Sequence, residues 1–351
     1  MRLLIITQKV DSSDPILGFF HQWILALAKH FSTVIVICLE RGEYNLPAQV
    51  RVLSLGKEAN QSRWQYLTRF YRYIWQERKN YDVVFVHMNP EYIVLGGWLW
   101  RVMGKKVALW YAHGAVGWSL WWAIFFTHIV FTSTESGLKI KTRKKNIVGQ
   151  GIDTNYFTFV PRQRGRVLRL VAVGRLARSK DCLFMVKVVE TLKNNGQAVC
   201  LTIVGGAVTA ADRLYQAEIE RYITEHKLAP EINLTGPVTS AGVRDFLSTA
   251  DIMLSASHNG SLDKTIVEAL ATGLPVVTSN ESGRALLAEN FPECVYSAGA
   301  LDEAIERLQY IFALSDGEYF KLGQRLSALV EKEHSLPRLI NEKIVPLIRE
   351  I

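Results

Sequence analysis

Short, unbroken apolar runs alternate with helical patterns along most of the chain, and this alternation restricts the fold more than any other feature. In the first half the runs are RLLIIT (2–7), TVIVICL (33–39), a short run at 50–55, VVFVH (83–87), KVALWYAH (106–113) and IVFTS (129–133). A strand that is apolar on both faces needs cover on both faces, and the helical patterns near 15–30 and 62–79 provide it. The pattern breaks at PRQRGR (161–166), a linker composition. It restarts with LRLVAVG (168–174), VCLTIVG (199–205), EINLTG (231–236), DIMLSAS (251–257) and PVVTS (275–279), separated by helical stretches. The expected class is α/β, with two doubly wound domains in tandem at residues 1–165 and 166–336. A chain of 351 residues has room for two such cores.

In open α/β sheets, ligands collect beyond the carboxyl ends of the strands. Here those ends carry Thr7 and Gln8, His113 and Gly114, Gly174 and Arg175, Gly205 and Gly206, the stretch from Ser255 to Gly260, and Ser279. Two such domains facing each other would enclose a cleft lined by these loops. The segment VAVGRLARSKD (171–181) ends a strand at Gly174, then supplies Arg175 and Lys180 as the next helix opens. A guanidinium, an ammonium and a helix N-terminus make an anion site, although a solvated basic loop has the same sequence appearance.

The stretch NGSLDKTIVEALATGLPVVTS (259–279) reads as a short helix ended by Gly273 and Pro275. On a helical wheel Ile266, Val267, Ala269, Leu270 and Ala271 share one face, while Lys264, Thr265, Glu268 and Thr272 share the other. Glu268 is therefore expected to face water or a ligand.

Composition narrows the partners. The net charge is +8, from 41 Lys and Arg against 33 Asp and Glu, which favours anionic partners. No phosphate-loop motif, no Gly-x-Gly-x-x-Gly fingerprint in the first βα turn and no Asp-x-Asp pair occurs. Neutralisation of a diphosphate would then fall to Arg175, Lys180 and helix dipoles. The four cysteines, Cys38, Cys182, Cys200 and Cys294, are scattered, as suits a reducing compartment. The N-terminal apolar run is too short for a signal-peptide core, so a cytoplasmic protein is expected. Residues 107–131 carry no Lys, Arg, Asp or Glu, but Ala112-His113-Gly114 and Gly117 divide them into strand, loop and short helix.

Together, GRL with a lysine five residues after its arginine, LTIVGG, NLTGPV and ADIMLSASHNGSLDKTIVEALATGLPVVTS resemble the C-terminal domain of family 4 retaining glycosyltransferases of the GT-B fold. YAHG and VGQGIDTNYF in the first half resemble the same family, with Gln150 where asparagine is usual. The resemblance implies two Rossmann-like domains facing a central cleft, with a last helix (337–351) packing back on the first. It implies a UDP-, GDP- or ADP-sugar donor whose diphosphate meets Arg175 and Lys180 and whose ribose meets Glu268. It also implies that the Gly18 loop approaches the phosphates and that His113 lies near the transferred sugar. Gly174, Gly205, Gly260, Asp263 and Lys264 complete the candidate donor-binding set. No cofactor and no divalent metal are expected.

The family carries a glutamate eight residues before the ribose-binding one, and here that position is Gly260. Asp263 or Asn259 could take over its contact with the sugar, or the site could be weakened. Three readings follow: a sugar transferase, a nucleotide-sugar epimerase or hydrolase, and a lapsed enzyme that binds nucleotide as a partner protein.

The acceptor is expected to be a glycan or a lipid-linked molecule, and no nucleic-acid module is present. SRWQYLTRFYRYIWQERK (62–79) places Trp64, Leu67, Phe70, Tyr71, Ile74 and Trp75 on one stripe, expected to pack on the first sheet. The alternative is a membrane surface, which GWSLWWAIFF (117–126) and the basic KIKTRKKN (139–146) also raise, placing the protein on the inner face of the cell membrane.

Overall fold

Two parallel sheets organise the chain in the computed structural model, which describes residues 1–14, 16–258 and 260–351. The chain divides into unit 1, Met1–Gly151 with Ser335–Ile351, and unit 2, Ile152–His334.

Unit 1 runs β1 (Arg2–Val10), α1 (Phe19–Ala28), β2 (Thr33–Arg41), β3 (Val50–Ser54), α2 (Arg63–Gln76), β4 (Val83–His87), α3 (Glu91–Val102), β5 (Lys106–Trp110), α4 (Trp118–Phe126), β6 (Ile129–Thr132) and β7 (Lys145–Ile147). The sheet order is β3-β2-β1-β4-β5-β6-β7. Successive side chains of a strand point to opposite faces. Leu3 and Ile5 thus join Phe20, Trp23 and Leu27 of α1, while Leu4 and Ile6 join Phe70, Ile74 and Trp100 of α2 and α3.

Unit 2 runs β8 (Leu168–Val173), α5 (Cys182–Asn194), β9 (Val199–Val204), α6 (Ala210–Glu225), β10 (Ile232–Gly236), α7 (Ser240–Thr249), β11 (Ile252–Ser255), α8 (Lys264–Ala271), β12 (Val276–Thr278), α9 (Glu281–Leu287), α10 (Leu301–Ala313) and α11 (Asp316–Glu333). Its sheet order is β10-β9-β8-β11-β12. Each sheet therefore reverses direction once, between β1 and β4 in unit 1 and between β8 and β11 in unit 2. Those are the switch points at which such sheets open a crevice.

The unit boundary falls after Gly151, ahead of the predicted position at 165. The stretch after Gly151 belongs to unit 2 because it is anchored there. Ile152 and Phe157 join its core, and the Ile152 amide donates to the His334 carbonyl at 2.7 Å. The Arg162 guanidinium donates to the carbonyls of Thr272 (2.8 Å) and Leu247 (3.0 Å). A linker composition thus conceals a packed strap.

The chain returns to unit 1 through α12 (Leu336–Arg338), a π-helical turn (Leu339–Ile344) and α13 (Val345–Glu350). Leu339, Ile340, Ile344, Val345 and Ile348 pack in the same core as α1. Pro346 lies at the start of α13 and does not break this helical run. Proline lacks an N–H and crowds the carbonyl four residues back, and the widened π turn before it removes that conflict. Residues 107–131 form β5, a loop, α4 and β6, and no helix among the described residues is long and apolar enough to cross a membrane.

Candidate functional site

At the unit 2 switch point, the ends of β8 and β11 bring together Gly174, Arg175, Lys180, Ser255, Ser257 and Asp263. The close approach of β8 and β9 depends on Gly205: its φ is +133°, and a Cβ there would collide with the Gly174 carbonyl. Arg175 is exposed and makes no ion pair or side-chain hydrogen bond among the described residues. Lys180 is committed. Its Nζ lies 2.6 Å from Asp263 Oδ1 and 3.5 Å from Ser257 Oγ, and these side chains leave a cavity of only about 10 Å³.

The helix termini at this point differ in a way the sequence did not disclose. Asp181 caps α5 by accepting from the Phe184 amide at 3.3 Å, so that N-terminus already carries its own carboxylate. Asp263 is the N-cap residue of α8 but makes no capping hydrogen bond, because its carboxylate is turned to Lys180. The N-terminal dipole of α8 is left without the usual anionic cap. Two links missed in the sequence steady the intervening loop: the His258 amide donates to Ser179 O at 2.9 Å, and His258 Nε2 lies 3.0 Å from Asp181 Oδ2.

Glu268 corrects the wheel. It is 3% exposed and ion-paired with Lys264, one turn back on α8. The apolar face of α8 is buried as expected, but the opposite face is covered as well. Thr272 on that face is fully buried, and Arg162 donates to its Oγ1 at 2.8 Å. A helical wheel shows which residues share a face, not what covers it. A buried carboxylate requires a partner, and Lys264 provides it.

Gly260 is half-buried, and its carbonyl accepts from Ser282 Oγ at 2.5 Å. The Asn280 side-chain amide reaches Ser261 O at 3.1 Å while its Oδ1 caps α9. The turn at 280–282 thus holds this loop by its backbone, a role the N-cap asparagine before ESG could have signalled. Asn259 lies outside the described residues.

His113 and Gly18 belong to unit 1. His113 is exposed on the loop after β5, which is tied by Tyr111 Oη to Ala115 O (2.8 Å) and by the Gly114 amide to Gly137 O (2.9 Å). Gly18 is buried at the start of α1, where a Cβ would press on the Asp14 carbonyl at 2.5 Å. The amides just before it, Ile16 and Leu17, donate to the Asp14 carboxylate at 2.8 and 2.7 Å, so this loop presents an acid where phosphates were expected. Lys9 is enclosed by Asp11, Asp14 and Glu40 at 2.8–3.2 Å, and the Asp14 hydrogen bond foremost raises its pKa. His87, at the end of β4, is stacked on Phe20 at 3.8 Å, and burial pushes its pKa down to about 3.

The aromatic stripe of α2 divides. Phe70 and Ile74 are buried against the sheet as expected, but Trp64 and Trp75 are exposed. On α4, Trp118 (71% exposed), Trp121 (58%), Trp122 (54%) and Phe125 (63%) share one open face.

With this geometry in view, comparisons with known proteins converge. Residues 168–311, within unit 2, match the family Glycosyl transferases group 1, in agreement with the resemblance carried by the motifs. The chain is similar to the putative teichuronic acid biosynthesis glycosyltransferase TuaC of Bacillus subtilis, 28% identical over 143 residues, which cover 40% of this chain and 32% of that one. It is also similar to the amylovoran biosynthesis glycosyltransferase AmsK of Erwinia amylovora, 27% identical over 147 residues, or 40% and 35% of the two chains. The matches span about a third of the length of these relatives. Among solved structures, Anabaena HepE in complex with UDP superposes with a TM-score of 0.80 at 15% identity, covering 100% of both chains. Sucrose-phosphate synthase from Thermosynechococcus elongatus gives 0.76 at 14%, covering 100% of this chain and 99% of that one. The fold is that of the GT-B glycosyltransferases, with two Rossmann-like α/β domains.

Proposed function

We propose that the protein is a retaining glycosyltransferase that moves a sugar from a UDP-, GDP- or ADP-linked donor to a hydroxyl of a glycan or lipid-linked acceptor. The observation that carries this reading is Arg175, unpaired beside Lys180 and the uncapped N-terminus of α8 at the unit 2 switch point. The UDP held by the HepE structure supports a nucleotide donor.

In the reaction, the acceptor oxygen bonds to the anomeric carbon as the bond from that carbon to the phosphate oxygen breaks on the same face. The acceptor proton passes to a donor phosphate oxygen, and the nucleoside diphosphate leaves with the electron pair. Charge grows on the diphosphate, where a guanidinium already in place stabilises it without reorganisation. Lys180 reaches the diphosphate by exchanging Asp263 for phosphate. Glu268 likewise reaches the ribose hydroxyls by exchanging its bond to Lys264. Gly174 and Gly205 keep the strand ends close enough for this, and His113 orients the sugar. Neutralisation by Arg175 and Lys180 makes turnover independent of divalent cations, so a chelator leaves the rate unchanged.

The decisive measurement is nucleotide release from UDP-, GDP- and ADP-sugars, with and without a membrane lipid extract, by the protein and its Arg175→Ala variant. Release that needs an acceptor, one donor and Arg175 supports the transferase. Release without acceptor points to the epimerase or hydrolase. Saturable donor binding without release favours the lapsed enzyme, a reading that rests on Gly260, which offers a pinned carbonyl where the family has a carboxylate.

The same reading places the protein on the inner face of the cell membrane. Its support is the open face of α4, because tryptophans favour the bilayer interface and the segment KIKTRKKN is strongly basic. Co-sedimentation with phosphatidylglycerol vesicles, reduced in a Trp121→Ser/Trp122→Ser variant, is the expected result. Equal sedimentation of both proteins would remove the α4 face from the proposal.

A further inference from the structure

The unit 1 switch point opens a second cavity, of about 280 Å³, between α2 and α3. Its position follows from the topology: Gln8 comes from the end of β1, Leu39 from β2, Leu55 from just after β3 and Asn89 from just after β4. The walls are Leu67 and Phe70 of α2 with Tyr92 and Leu95 of α3. Alternation along β1 separates this groove from the Lys9 cluster. Gln8 follows Leu4 and Ile6 on the α2 and α3 face, whereas Lys9 follows Leu3 and Ile5 on the α1 face.

Two charged side chains stand at the groove. Glu91 accepts from Ser119 Oγ at 3.0 Å. Arg63, the first residue of α2, is exposed and makes no ion pair or side-chain hydrogen bond among the described residues. The groove is therefore walled mostly by apolar side chains, with Gln8, Tyr66 and Asn89 as polar lining, and one unpaired cation, Arg63, stands at its rim at the start of α2, whose Ser62 and Gln65 amides are already held by a capping box. Gln8, Tyr66 and Asn89 would satisfy only part of a sugar's hydroxyls, and the rest would face Leu39, Leu55, Phe70 and Leu95 unsatisfied. A hydrocarbon chain has no such groups.

We infer that this groove binds the hydrocarbon chain of an amphiphile whose phosphate headgroup meets Arg63. The inference rests on the transferase reading in one respect only: it makes the acceptor lipid-linked. Burial of each methylene in such a groove tightens binding about fourfold, until the chain outgrows the cavity.

The test is calorimetric titration of the full-length protein with inorganic phosphate and with alkyl phosphates from butyl to decyl. The expected result is affinity that climbs with chain length, above a weak binding of inorganic phosphate that is lost with Arg175→Ala and not with Arg63→Ala. Leu95→Trp and, independently, Leu67→Trp fill the groove and abolish that climb. Arg63→Ala weakens every alkyl phosphate by about tenfold, the scale of one charge-assisted contact. Trp121→Ser, in the α4 face proposed to meet the membrane, tests adsorption there, and the climb with chain length persists in it. Chain-length dependence that survives in both filled variants, or that is lost with Trp121→Ser, overturns the groove in favour of surface adsorption. Absence of alkyl phosphate binding also overturns it. The two proposals fail separately. Transfer to a soluble glycan without alkyl phosphate binding leaves the transferase and removes the groove, whereas alkyl phosphate binding without nucleotide release under any acceptor does the reverse.

Discussion

Both sheets reverse their strand order once, yet the two switch points are lined by different side chains. In unit 2 the strand ends carry Arg175, Lys180 and an α8 terminus stripped of its cap, and an internal ion pair fills the space to about 10 Å³. In unit 1 the corresponding crevice is open at about 280 Å³ and walled by Leu, Phe and Tyr, while the α1 side of the same strand places three carboxylates around Lys9. A diphosphate suits the first environment, whereas the unit 1 groove suits an apolar chain, and the carboxylates around Lys9 lie on the other face of its sheet. The same topology thus specifies where ligands bind but not which ones. That choice lies in side chains that contribute little to the fold.

The comparison is most easily broken at Arg175. Arg175→Ala should lower turnover by about 100-fold, with donor affinity changed far less, because its charge matters most as the diphosphate departs. Separate determination of kcat and KM checks this, and an unchanged kcat would remove unit 2 from the chemistry. The next largest effect concerns stability. Lys264→Met leaves the buried Glu268 carboxylate without its cation and should cost about 3 kcal/mol in urea unfolding. Adding Glu268→Gln should recover most of that loss, since the pair acts as a unit.

The strands of both sheets were legible because parallel strands buried on both faces read as continuous apolar runs. β7 was missed because Lys145–Ile147 is three residues long and two of the three are polar. That Arg175 and Lys180 line one crevice was legible because they sit together after one strand. The pairing of Lys180 with Asp263 was not, since it joins loops more than eighty residues apart in sequence. The burial of Glu268 was not legible either, since the pattern of a helix does not report what covers its polar face. The strap after Gly151 was misread because the carbonyls that satisfy Arg162 belong to distant elements.

A smaller effect tests the core of unit 1. His87 is neutral in the folded protein because burial lowers its pKa to about 3, against an ordinary value of about 6.5. The unfolded chain therefore binds the additional proton between these values, so stability contributed by this site is complete above about pH 6.5 and lost as pH falls toward 3. The slope should approach 1.4 kcal/mol per pH unit at most, and His87→Phe should flatten it in urea unfolding measured from pH 7 to pH 4. A slope identical in the variant would assign the acid sensitivity elsewhere.

The smallest expected effect sharpens the comparison most, because it asks whether the unit 2 site is closed by its own ion pair. Asp263 is paired with Lys180 in a space of only about 10 Å³, so under the proposed function it would compete with a donor phosphate for that lysine. Asp263→Asn removes the competing charge but keeps the shape of the side chain. A partly buried pair of this kind is worth about 1 kcal/mol, so UDP should bind about fivefold more tightly to the variant. The asparagine also lacks the carboxylate that could take over the sugar contact missing at Gly260, so UDP-sugar should gain less than UDP. Weaker UDP binding would mean that Asp263 holds Lys180 in its working position rather than blocking it. In that case the narrowness of the cavity would reflect a preformed site, and Lys180 would not need to move at all.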